Sequence, residues 1–138
     1  AKFIHTYRNS VDSILSIYQS MLPELSWTHT FEDILDYIEI YYKILTYLKN
    51  KYPEAIMDLN LEEFSEVSEK FTREIYKFCN LSWSDDSLKF YKRNDLFSKT
   101  LSFMQIRDKI SKYDHKKYNS YFHLLEKYKN KFKWLKFN

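Results

Sequence analysis

The apolar positions of this chain fall into a few patterned runs separated by polar stretches. "KFIHTY", residues 2–7, is a short β-rich run followed at once by polar residues, the pattern of a strand ending at a functional edge. Val11, Ile14, Leu15 and Tyr18 then fall at i, i+3, i+4 and i+7. That spacing predicts an amphipathic helix, capped by Asn9 or Ser10 and ended by Pro23. Asp12, Ser13, Ser16 and Ser20 share its other side. Thr30, with Asp33 three residues on, is a variant of the capping box and opens a long helix. Its stripe is Phe31, Ile34, Leu35, Ile38, Tyr42, Leu45 and Leu48, and it must stop before Pro53, whose ring disfavours helical geometry at Tyr52.

"EAIMDLN" reads as a second strand. A helix with Phe64, Val67, Phe71, Ile75 and Phe78 inward follows, with Asn80 as the left-handed stop that glycine usually supplies. "SDDSLKFYK" opens a short helix capped by Ser84 or Asp85. Residues 93 to 115 are polar and irregular. From about 115 to 136 a lysine-rich amphipathic helix is predicted, with Tyr118, Phe122, Leu125 and Tyr128 inward. Strand, helices, strand, helices is the order of an α/β unit with parallel strands. The expectation is therefore an α/β chain, mostly helical, with two short parallel strands and five to six helices. Two strands alone make a poor sheet, so further strands are expected to complete it.

Composition sharpens this in two ways. The 138 residues suffice for one domain with a real core, and 44% hydrophobic with 20% aromatic residues argues for a folded chain. Charges interrupt every apolar run, so none approaches a membrane span, and no signal-peptide pattern is present. Glycine is absent altogether, which excludes a glycine-rich phosphate cradle within these residues and leaves left-handed turns to Asn, Asp or Ser. The single Cys79 has no internal disulfide partner and reads as a small buried hydrophobe in a reducing compartment, the cytoplasm.

The net charge of +3 hides an asymmetry: residues 112 to 138 carry +6, from eight lysines against Asp114 and Glu126, and the preceding residues carry −3. Such a tail is a solvated face or an anion-binding one. His5, His29, His115 and His123 lack metal-ligand spacing with Cys79, and no nucleophile–base arrangement has supporting context. Trp27, Trp83 and Trp134 read as packing anchors, and Tyr37, Tyr41, Tyr42 and Tyr47 as packing with wet hydroxyls.

Five segments together resemble a known family. "FIHTYRNSVDSILSIYQS" is similar to the segment of sulfotransferases that binds the 3′-phosphate of 3′-phosphoadenosine 5′-phosphosulfate (PAPS). There a strand ends in Arg and a Ser lies eight residues later on the next helix, as Arg8 and Ser16 do here; the family's Asp-Pro after the arginine is replaced by Asn9-Ser10. "AIMDLNLEEF" resembles a strand ending in "Tyr-Glu-x-Leu", and "IYKFCNLSWSDDSLKFYK" a "Phe-Cys-Gly-Leu-x-Trp" corner with Asn80 for the glycine. "KTLSFMQIRDKI" resembles "Arg-Thr-x-Ser-x-x-Gln-Val-Arg-x-Pro-Ile", with Thr100, Ser102, Gln105, Ile106 and Arg107 in step and Lys109 for the proline. "KKYNSY" stands where "Gly-Arg-Trp-x-x-Tyr" is expected, which puts Lys117 at the arginine and Tyr118 at the tryptophan.

The resemblance is closest to the bacterial and tyrosylprotein-type branch. It implies one domain over 1–138, the C-terminal portion of a P-loop-like three-layer fold, with PAPS as cofactor and a hydroxyl or amine acceptor. It implies cofactor-binding roles for Arg8, Ser16, Ser102, Arg107 and Lys117. The family's glycine-rich 5′-phosphosulfate loop and its catalytic base would lie upstream of Ala1, so no catalytic residue is assigned here and the segment is expected to be inactive alone. The rival reading is a non-enzymatic helical module whose basic C-terminal helix meets nucleic acid or an acidic protein.

Overall fold

The computed structural model describes residues 1–93 and 108–137. Its architecture is α/β and mostly helical. Two short parallel strands, β1 (Phe3–Tyr7) and β2 (Ile56–Asn60), pair in one sheet. The α-helices are α1 (Ser10–Ser20), α2 (Phe31–Lys51), α3 (Leu61–Glu66) and α4 (Ser68–Phe78). Among the described residues, 3-10 helices cover Ser26–Thr28, Asp85–Lys92, Asn119–Leu124 and Glu126–Tyr128. Among the described residues, no helix is long and apolar enough to cross a membrane. The chain divides into two compact units, Ala1–Thr6 with Met57–Tyr113, and Tyr7–Ile56 with Asp114–Asn138.

In the second unit, α1 begins where the sequence says it should. The Asn9 side chain accepts from the N–H groups of Val11 at 2.9 Å and Asp12 at 3.2 Å, a cap worth about 1 kcal/mol. The helix ends at Ser20, before Pro23, with Met21 in the left-handed region at φ 39°. This corrects the expectation that only Asn, Asp or Ser would take such turns. A methionine adopts the conformation against its Cβ clash because its side chain, 64% exposed, has no packing to satisfy.

In α2, the Thr30 hydroxyl accepts from the Asp33 N–H and donates to the Asp33 carboxylate, so the variant capping box is real. The seven predicted stripe positions are all buried or half-buried, while the residues between them are exposed, Ile40, Tyr41 and Ile44 among them, except the half-buried Glu39 and Lys49. The core joins Val11, Ile14 and Leu15 of α1 to Ile34 and Leu35 of α2 and to Tyr118, Leu125, Tyr128, Phe132 and Leu135. Each buried aliphatic there contributes about 1.5–3 kcal/mol of burial energy. Tyr18, expected inward, is exposed and stacks on Phe31 with ring centroids 4.3 Å apart.

The lysine-rich tail corrects the helix expectation while keeping its face. Its backbone closes i→i−3 bonds (Leu125 N–H to Phe122 C=O, Tyr128 N–H to Leu125 C=O and Leu135 N–H to Phe132 C=O, each 3.0 Å), so it is a run of 3-10 turns. Tertiary anchoring replaces helical cooperativity. The Tyr128 hydroxyl donates to the Glu32 carboxylate, and Lys131 reaches Asp36 at 3.1 Å.

The Glu32–Tyr128 pair sets a pH window. Tyr128's hydrogen bond, followed by Glu32's own backbone N–H and the charges of Lys127 and Lys131, holds the Glu32 carboxyl below its ordinary 4.5. Burial, then the bond to Glu32, pushes the Tyr128 phenol above 10.0. A depressed carboxyl stabilises the fold above its unfolded value and loses that contribution as pH falls; a raised phenol stabilises below its unfolded value and loses it as pH rises. Tyr128→Phe should therefore flatten the melting temperature against pH below about 4.5 and above about 10. Thermal denaturation of both proteins across that range checks it; parallel curves would refute it.

In the first unit, β2 buries Leu59 and runs into α3, where Asn60 caps the N–H groups of Glu62 and Glu63. The single helix predicted over Phe64–Phe78 is broken at Val67, which has φ −133° and ψ 53°. Val67 is exposed, not inward: its neighbours Phe64 and Phe71 meet at 6.5 Å, and the break turns the valine out. Asn80 does take the left-handed stop, at φ 56°, with the Leu81 N–H returning to Tyr76 C=O at 2.8 Å. The Ser84 hydroxyl accepts from the Asp86 N–H at the start of the following 3-10 helix.

Candidate functional site

The candidate site grows from the turn between β1 and α1. β1 ends at Tyr7, so Arg8 emerges one residue before the Asn9 cap, half-buried. Its Nε donates to the Ser13 hydroxyl at 3.3 Å, which draws the guanidinium along the α1 face that carries Ser13 and, one turn on, Ser16. No acceptor among the described residues takes its Nη groups. Ser13 in turn donates its hydroxyl to the Asn9 carbonyl at 2.9 Å. The first helix N–H groups are not offered to an anion, because Asn9 takes those of Val11 and Asp12 with its side chain and that of Ser13 with its carbonyl.

The third element comes from far along the chain. Tyr118, 4% exposed, packs in the core beside α1, and the Lys117 ammonium lies 5.1 Å from its ring centroid. Burial pushes the Tyr118 phenol up. Hydrogen bonds from Ser16 and Lys117 and the charges of Lys117 and Arg8 outweigh that, and the net shift is downward from 10.0. Arg8, Ser16 and Lys117 thus all lie within electrostatic reach of one phenol, in the same compact unit. Two cations and two hydroxyls there are suited to hold an oxyanion: guanidinium and ammonium for charge, hydroxyls for neutral hydrogen bonds.

Ser102 and Arg107 lie outside the described residues. The sequence reading placed Tyr118 on the inner face of the tail and at the tryptophan of the resembled motif, and gave its hydroxyl no role. The one signal was a tyrosine where the resembled motif has tryptophan: a hydroxyl added to a packing ring. Among the described residues, no group of three or more His, Cys, Asp or Glu is placed to hold a metal ion. A separate open groove of about 440 Å³ is lined by Lys129, Asn130, Lys133, Leu135, Lys136 and Phe137.

A strand-edge arginine, a helix-borne serine and a lysine beside a buried phenol define an α/β protein with a cationic corner. The chain belongs to the sulfotransferase family, whose model matches residues 1–85, a span that includes Arg8 and Ser16 but stops short of Lys117. An uncharacterized protein of Aquifex aeolicus (strain VF5) is 31% identical over 125 residues, covering 88% of this chain and 16% of that protein. The chain therefore spans about a sixth of that relative's length. No solved structure matches it.

Proposed function

We propose that this chain is the part of a PAPS-dependent sulfotransferase that anchors the 3′-phosphate of the cofactor, through Arg8, Ser16 and Lys117, in an enzyme of the bacterial and tyrosylprotein-type branch whose glycine-rich loop and base lie N-terminal to it. The observation that carries this is the placing of Arg8 at the turn between β1 and α1, with its Nε donating to the Ser13 hydroxyl at 3.3 Å on the helix that also carries Ser16. The residues fit a dianion: Arg8 offers Nη donors with no acceptor among the described residues, and the corner is cationic. When bound, PAPS supplies the sulfuryl group, which leaves from its 5′ side. The residues here bind and orient. Arg8 forms charge-assisted hydrogen bonds to phosphate oxygens, Ser16 adds a neutral donor, and Lys117 neutralises the second charge. Ser102 and Arg107 belong to the same proposal as further cofactor contacts. The acceptor is a hydroxyl or amine, and the protein is assigned to the cytoplasm.

The test is calorimetric titration of the whole encoded protein with adenosine 3′,5′-bisphosphate and with adenosine 5′-monophosphate. The bisphosphate should bind roughly tenfold more tightly or better, since only it offers the 3′-phosphate. Equal affinities, or no heat with either, would remove the assignment.

The groove with Lys129, Lys133 and Lys136 favours the rival reading, binding of an acidic partner by the tail. These three lysines have no carboxylate partner among the described residues, whereas Lys127 and Lys131 face Glu32 and Asp36. Binding of a long polyanion that falls steeply with salt and disappears when those three lysines are replaced would support it instead.

A further inference from the structure

We propose that the outward face of α2 is a self-association surface, on which a second copy of this chain lays its own α2 antiparallel. The inference is independent of the cofactor reading.

α2 carries two apolar stripes. The inner one serves the core, with Ile34 and Leu35 fully buried. Tyr37, Ile40, Ile44 and Tyr47 form the second, on the side away from that core, and they are 48%, 57%, 54% and 60% exposed. Their spacing of three, four and three residues is that of a seam between paired helices. A single exposed apolar residue is ordinary, whereas a continuous row of them marks an interaction surface. Both tyrosines are held in place. Tyr37 stacks on Trp27 with ring centroids 3.9 Å apart and planes 6° from parallel, and the Tyr47 hydroxyl accepts from the Lys51 ammonium at 3.3 Å. Little side-chain freedom remains to be lost on docking.

The row also says what covers it. About Tyr42 it reads alike in both directions: Ile40 and Ile44 lie two residues either side, and Tyr37 and Tyr47 lie five. Asp33 and Lys51, both exposed, lie nine residues either side with opposite charges. In an antiparallel pair with its twofold axis level with Tyr42, Ile40 meets Ile44 of the second copy and Tyr37 meets its Tyr47. Asp33 then meets Lys51 at both ends, as an isologous interface requires. The Asp33 carboxylate accepts from the Thr30 hydroxyl at 2.8 Å within its own helix and keeps lone pairs for that lysine. A parallel pair would set Asp33 against Asp33 and Lys51 against Lys51, so charge selects the antiparallel arrangement. An unrelated partner has no need of a row that mirrors itself. The face is about 27 Å long and about 10 Å wide. That falls short of the roughly 800 Å² per partner of a standard interface, so the dimer is a weak, exchanging one.

Sedimentation velocity on the whole encoded protein, from low to high micromolar concentration, should show a monomer–dimer equilibrium. Ile44→Glu should weaken it at least tenfold and leave the melting temperature of the monomer unchanged, because this side chain faces outward. Register is read by disulfide mapping. Oxidising a mixture of Tyr37→Cys and Tyr47→Cys proteins should link position 37 to position 47. Neither variant alone should link like positions, which lie about 15 Å apart along the axis. A wild type that stays monomeric throughout overturns the proposal. If Ile44→Glu then lowers the melting temperature of that monomer, the face is covered by another part of the encoded protein. A dimer that Ile44→Glu leaves intact, or a link between like positions, overturns it as well.

Discussion

Arg8→Ala should weaken binding of adenosine 3′,5′-bisphosphate by about 1.5–3 kcal/mol, the worth of hydrogen bonds to a charged group. The guanidinium is half-buried, so its charge is only partly screened by solvent. Its Nε is already committed to Ser13 at 3.3 Å, which fixes the plane of the fork and directs the Nη groups elsewhere. Alanine removes the charge and the fork together. Arg8→Lys restores the charge but not the planar pair of donors, and its affinity should fall between the two. The Asn9 cap is independent of the substitution, so the melting temperature should move little. Calorimetry on the three proteins, with the 5′-monophosphate as control, checks this. Equal bisphosphate affinity in wild type and Arg8→Ala would take Arg8 out of the site.

What the sequence disclosed depended on how local the cause was. Caps were legible because each is a contact of two or three residues: Asn9, Thr30 and Ser84 all accept the N–H bonds expected of them. The α2 stripe was legible because one long helix samples its face many times. In the tail, Tyr118, Phe122, Leu125, Tyr128, Phe132 and Leu135 are spaced by three or four residues, which suits a 3-10 run as well as an α-helix. The spacing therefore identified the buried face and left the hydrogen-bond pattern undetermined. Val67 shows the opposite failure, an apolar residue in register whose backbone leaves the helix. At the site, Arg8 and Ser16 share a turn and a helix and could be paired by eye. Lys117 was placed only by resemblance to a family motif, and the packing of Tyr118 in one core with α1 by neither route, because a contact so distant along the chain has no local signature.

The site also inherits the stability of the core beneath it, and Phe132→Ala should show this with a larger loss of stability than Arg8→Ala, Tyr118→Phe or Tyr128→Phe. Phe132 is 1% exposed, meets Trp134 edge-on at 5.7 Å and has the Lys131 ammonium 4.6 Å from its ring centroid. Truncating a fully buried phenylalanine costs about 3–5 kcal/mol, the lost transfer energy plus the cavity left behind. At this chain length the melting temperature should fall by about 10 °C or more. By contrast Lys131→Ala, which breaks an exposed pair with Asp36, should cost under about 1 kcal/mol. Denaturant unfolding of both variants separates the two effects. Phe132 touches no proposed ligand, yet it helps dock the segment that carries Lys117 and Tyr118. Bisphosphate affinity measured well below the new melting point should therefore weaken as well, and a loss of less than about 1 kcal/mol in stability would mean that the tail is not the second wall of the core.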